Sequence, residues 1–256
     1  MDRAGVRGKV TRLSVVAIAI LAVLSISTSA GCSGAAALSP QQVLERSVTN
    51  LLGWKSYHYS GTSKLAVASD ARLDNEGTFE TDLAQNGRGG LDGHMVVKAP
   101  PASYQTYTSN GVMYTQSEGG EWTKAVLPEG GAMVSTTSRK IIAKFADLVD
   151  DVRIENETDA MYTLSFTMGE KYRDGAASIA GEPGSSAVGL GMQAGPWNTI
   201  EMKLTVDRKS LRPTGVWMKT GSEASGSTPA VGTETRGTYT RINRPVDIKP
   251  PAEAVR

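Results

Sequence analysis

The chain has 256 residues, 27 Lys and Arg against 26 Asp and Glu for a formal net charge of +1, 39% hydrophobic residues and 6% aromatic ones. That balance lacks the concentrated basic surface nucleic-acid binding needs, so no nucleic-acid partner is expected. One cysteine and two histidines, His58 and His94, rule out an intrachain disulfide and a Cys-based zinc site and leave little for hydrolytic or metal chemistry, so a binding or carrier protein is expected rather than an enzyme, with no cofactor.

Residues 1–12 carry Arg3, Arg7, Lys9 and Arg12 against a single Asp2, and Leu13 to Ile26 is an uncharged apolar run of 14 residues. A membrane span needs about 20. A run this short, followed by Ser27, Thr28, Ser29, Ala30 and Gly31, has the form of a secretory signal peptide. Ala30-Gly31-Cys32 resembles the bacterial lipoprotein signal, although Ser29 stands where that signal usually has Leu. The resemblance implies that residues 1–31 are a signal peptide, that Cys32 receives a diacylglyceryl group, and that the chain is held at the extracytoplasmic face of the cell membrane. Without residues 1–31 the chain keeps 23 basic and 25 acidic residues, a net of −2. Such a body has no electrostatic attraction to an anionic bilayer, and anchoring then rests on the lipid. Residues 32–39 make a short lipidated tether.

Pro40 to Leu52 reads as a helix with Leu44, Val48, Leu51 and Leu52 on one stripe, Ser39 and Gln42 in a capping box, and Gly53 as a left-handed cap. From Trp54 the period changes to two. Tyr57 to Ala66, Gly77 to Gln85 and Leu91 to Ala99 alternate as strands, followed by SYQTYTS, VMYTQS and EWTKAVL, with Asn110-Gly111 and Gly119-Gly120 as hairpin turns. Alternation places His58 on the face opposite Tyr57 and Tyr59, and His94 with Asp92 and Lys98, so both histidines are expected on polar surfaces. Ser138 to Val149 returns to the helical period, with Ile141, Ile142, Phe145, Leu148 and Val149 opposed by Arg139, Lys140, Lys144 and Asp147. Two more strands precede an interruption from Gly169 to Pro196, expected to hold a short helix around Tyr172 to Ile179 and otherwise to form a mobile flap. Thr199 to Asp207 and the two alternating segments after it complete the sheet, and Pro245, Pro250 and Pro251 predict an extended tail. Residues 40–256 form one domain.

Roughly ten strands with two or three helices make an α+β domain built on one large antiparallel sheet. The lipoprotein signal, the capped helix, WKSYHYSGTSKL opening the meander and NRPVDIKPPAEA closing the chain together resemble bacterial lipoproteins of the LolA-like/LppX–LprG-like group. That resemblance implies an unclosed curved half-barrel with helices on its concave face, several members binding acylated lipids or lipoproteins between the two. If the sheet curves in this way, the apolar strand faces carrying Leu83, Met95, Val97, Phe166, Met202 and Leu204 converge on one interior and form the candidate ligand-binding set. The expected function is binding or carriage of a lipid or acyl chain. The alternative is a non-enzymatic interaction module with a filled core that presents itself to an envelope protein partner.

Overall fold

A computed structural model describes residues 38–67, 75–99, 103–127, 131–180, 199–222 and 230–255. The signal segment, Cys32, most of the tether and the flap beyond residue 180 lie outside the described residues. The folded unit is Ser39–Arg256.

Helix α1 (Pro40–Leu52) opens as its sequence dictates. Ser39 Oγ accepts from the Gln42 N–H at 3.2 Å, and Gln42 Oε1 accepts from the Ser39 N–H at 3.0 Å. Val43, Leu44, Ser47 and Val48 are buried. Gly53 departs from expectation: its φ is −76°, right-handed, and its N–H bonds the Thr49 and Asn50 carbonyls, both at 3.1 Å. The chain continues the helical path straight into the buried Trp54 ring.

Eleven strands follow: β1 (Ser56–Val67), β2 (Asn75–Gln85), β3 (Leu91–Lys98), β4 (Tyr104–Ser109), β5 (Val112–Ser117), β6 (Trp122–Val126), β7 (Asp150–Glu157), β8 (Met161–Met168), β9 (Thr199–Asp207), β10 (Pro213–Ser222) and β11 (Val231–Thr240). They form a single antiparallel sheet in the order β6-β5-β4-β3-β2-β1-β11-β10-β9-β8-β7. β6 and β7 are its two free edges, so the sheet is not closed. Each half is a meander of neighbours, and the halves join where β1 pairs β11 from Val67↔Val231 to His58↔Thr240. The Asn110-Gly111 hairpin turns with φ of 54° and 81°, the left-handed pair a tight two-residue turn demands. Asp92, expected on an open polar face, is buried and ties this hairpin down by accepting from the Asn110 N–H at 3.0 Å and Asn86 Nδ2 at 2.8 Å.

The helical segment expected from Ser138 to Val149 is two pieces, α2 (Thr136–Ala143) and α3 (Phe145–Leu148), broken at Lys144 (φ −101°, ψ 3°), whose N–H bonds the Ile141 carbonyl at 3.1 Å. The apolar stripe survives the break, since Ile141, Ile142, Phe145, Ala146 and Val149 are all buried. Helix α4 (Glu170–Ala180) matches the expected short helix. The tail is extended through Pro251 and then makes one turn, α5 (Ala252–Val255), against β6. A proline is compatible with a helix start, so Pro251 does not forbid the turn after it.

The histidines are less exposed than expected. His58 Nδ1 lies 2.9 Å from Asp82 Oδ1 across the β1–β2 pair, with 13% of its side chain accessible. His94 stacks on Tyr107 at 4.0 Å, and its buried Nε2 has no hydrogen-bond partner. A cross-strand partner is invisible to spacing along one strand.

Helices α1 and α4 pack principally against β7, β8 and β10, with α2 and α3 against α1 and α4. Leu164, Phe166, Met168, Ile200 and Val206 are therefore sealed beneath them. The concave face of β1 to β4 receives less helical cover, and the cavity opens there.

Candidate ligand-binding cavity

Between the sheet and the helices lies a cavity of about 490 Å³. That volume is within the ordinary range for a small-molecule site. Its walls come from seven adjacent strands, β4-β3-β2-β1-β11-β10-β9, and from the ends of α1 and α2. Laid flat, seven strands would spread over roughly 29 Å at about 4.8 Å apart, so a shared cavity wall requires the sheet to curl. The alternation of β1 turns Tyr57, Tyr59, Ser63 and Leu65 inward, while β2 contributes Phe79, Thr81 and Leu83.

Four of the six candidate residues, Leu83, Met95, Val97 and Met202, line this cavity. Phe166 and Leu204 do not. They lie under α1, lining with Met202 a separate small void of about 30 Å³. Leu44 and Val48 of α1 and Phe145 of α3 close over them, and alternation cannot distinguish an apolar face that is covered from one that is left open.

The cavity also holds residues that the strand pattern did not single out. Leu51 and Leu52 come from the end of α1, Met133 and Val134 from the approach to α2, and Met218 from β10. Tyr57, Tyr59 and Tyr239 form an aromatic wall with Trp54: Tyr59 stacks on Tyr239 at 4.9 Å, and Trp54 meets Tyr57 and Tyr239 edge-on, each at 5.4 Å. Burial pushes the Tyr239 hydroxyl up to about 12. It pushes Tyr57 and Tyr59 further still, with Tyr239 adding to both and the Arg139 guanidinium pulling Tyr57 the other way. All three hydroxyls stay neutral at physiological pH and supply the wall with dipoles rather than charge.

Arg139 was expected on the outer face of its helix. Instead it is half-buried, reaches the cavity, and donates from Nη2 to the Leu52 carbonyl at 2.6 Å. A long side chain at the border of a stripe can lay its stem on apolar surface and carry its charge past it. Among the described residues no group of three or more His, Cys, Asp or Glu side chains could hold a metal ion, and no helix is long and apolar enough to cross a membrane.

A family model matches residues 39–256, the whole folded unit. The chain belongs to the family of unknown function DUF6612. No curated protein matches this DUF6612 chain. Similar solved structures include the MucA/MucB complex of Pseudomonas aeruginosa, at 13% identity and a TM-score of 0.39, covering 84% of this chain and 62% of the other. The DUF6612 chain thus spans less than two thirds of that relative's length. A LolA superfamily protein from Nitrosomonas europaea aligns at 11% identity and a TM-score of 0.30, over 82% of this chain and 96% of the other. A DUF1329 family protein from Desulfovibrio piger aligns at 9% and 0.32, over 83% and 96%. Overlaps this loose carry no function across.

Proposed function

We propose that this protein is a lipid-anchored, non-enzymatic component of the cell envelope that binds an acyl chain or a similar hydrophobic ligand in its cavity. The observation that carries this reading is the cavity of about 490 Å³ walled by the inward faces of seven strands. Left to water, its apolar lining would cost about 25 cal/mol per Å². An acyl chain replaces that water without needing many polar partners. An interaction module with a filled core would need a packed interior at this place, and the cavity weighs against it.

Val97 tests the reading. It lines the cavity between Phe79 and Tyr104, its register partners on β2 and β4. Val97→Trp should fill the space rather than overpack a full core, so the usual penalty of about 1–3 kcal/mol for added bulk should be largely avoided. The variant is expected to stay folded by circular dichroism and to lose uptake of a fluorescent fatty acid that the wild type takes up. Equal uptake by both proteins, or none by the wild type, would count against the cavity as the binding site.

Anchoring is tested separately. Cys32→Ala in the producing cell is expected to give an unprocessed precursor or a protein released from membranes, seen by intact mass and by fractionation. A variant with the mass and fractionation of the processed wild type, differing only by the substitution, would remove the anchor from the reading.

A further inference from the structure

Resting on the reading of this cavity as a ligand site, we infer that its ligand is an amphiphile with an anionic head, whose carboxylate or phosphate oxygens pair with Arg139. Among the described residues Arg139 is the only charged side chain lining the cavity, and no carboxylate is ion-paired with it. A half-buried guanidinium facing apolar walls is costly unless something neutralises it. One of its N–H groups is spent on the Leu52 carbonyl, where it caps the end of α1 and fixes the direction of the fork. A guanidinium has five N–H donors and matches planar or tetrahedral oxyanions well, so donors remain for a head group.

The shape of the cavity agrees with that chemistry. The Leu52 carbonyl that holds Arg139 lies at the end of α1, four residues before β1 begins at Ser56, which places the charge at the Tyr57 end of the wall formed by β1. The same wall continues to Leu65, eight residues on and roughly 27 Å away at about 3.4 Å per residue. Toward that far end the lining includes Val97, Phe79 and Ala99 together with the neutral Ser63, Asn75 and Thr235, and no ionised side chain. A slot with a cation at one end and uncharged, mainly apolar walls along its length suits a fatty acid or an acyl phosphate better than a neutral hydrocarbon or an acyl alcohol.

The test uses the purified wild-type chain loaded with an uncharged naphthylamine dye, displaced in turn by palmitate, hexadecyl phosphate and hexadecanol at pH 8. The wild type is expected to prefer at least one of the two anions over hexadecanol by roughly tenfold or more, the scale of one charged hydrogen-bonded pair. Whichever anion binds more tightly identifies the head as carboxylate or phosphate. Arg139→Gln should bring the anion preference close to unity while still taking up the dye, and Arg139→Lys should keep most of it. A purely structural Arg139, capping α1 and nothing more, would weaken all three ligands alike. Wild-type uptake of dye with equal affinity for the three amphiphiles, or an anion preference that survives Arg139→Gln, would overturn the inference and leave the cavity reading standing. No uptake of dye would overturn both. The wild-type comparison needs no variant, so an unfolded Arg139→Gln would not remove the test.

Discussion

Phe145→Asp is expected to destabilise the folded unit by about 3–5 kcal/mol, the range for an uncompensated charge left in a core. Phe145 is 5% exposed and meets Phe166 edge-on at 5.5 Å and Tyr172 at 6.0 Å, so its ring joins α3 to β8 and α4 at once. A carboxylate there would lose both aromatic contacts and face Leu44, Val48 and Leu204 across the small void beneath α1. For a domain of this size the thermal midpoint should fall by roughly 6–20 °C. A midpoint within a degree or two of the wild type would mean that the helical layer does not seal the sheet as described.

Gly61→Ala should be comparably damaging for a different reason. Gly61 pairs with Gly237 at the β1–β11 seam, where the two halves of the meander join. A Cβ on Gly61 would sit 1.8 Å from the Arg236 carbonyl oxygen and 2.7 Å from the Gly237 Cα, both of them backbone atoms that no side-chain rotation can move aside. Relief requires the strands to part where the sheet depends on a long-range pairing, and a loss above about 2 kcal/mol is expected. Gly221→Ala is the control: a Cβ there meets nothing within 4 Å, so stability should change by less than about 1 kcal/mol in either direction. Denaturant midpoints of the two variants separate these outcomes, and similar midpoints would refute the close approach at the seam.

Much of this architecture was legible because it is local. The period-two runs marked every strand of both meanders, Asn110-Gly111 marked its hairpin, and Ser39 with Gln42 marked the start of α1. What escaped depends on contacts between elements distant in sequence. Nothing along β1 or β11 announces that they pair with each other. The break at Lys144 lies inside an unbroken apolar stripe. His58 gained a carboxylate partner from the neighbouring strand, which no spacing within β1 could show.

The cavity followed the same division. Leu83, Met95, Val97 and Met202 were found by alternation because they sit on inward strand faces. Phe166 and Leu204 share that pattern, yet α1 and its neighbours cover them, and helix placement is a tertiary property. Arg139 was assigned to a solvent face because the helical period places a Cα and not the end of a long side chain. It is the residue on which the chemistry of the ligand turns, and it became visible only once the Leu52 carbonyl and the cavity wall were in view.

The central claim is that the space between sheet and helices holds an acyl ligand. Native mass spectrometry of the full chain, extracted from the membranes of its own host in a mild detergent, tests it most directly. The account predicts wild-type protein carrying one acyl-bearing molecule beyond its covalent mass, released on collisional activation and missing from Val97→Trp. Wild-type protein observed only at its covalent mass, with no bound molecule under conditions that preserve the fold, would contradict it.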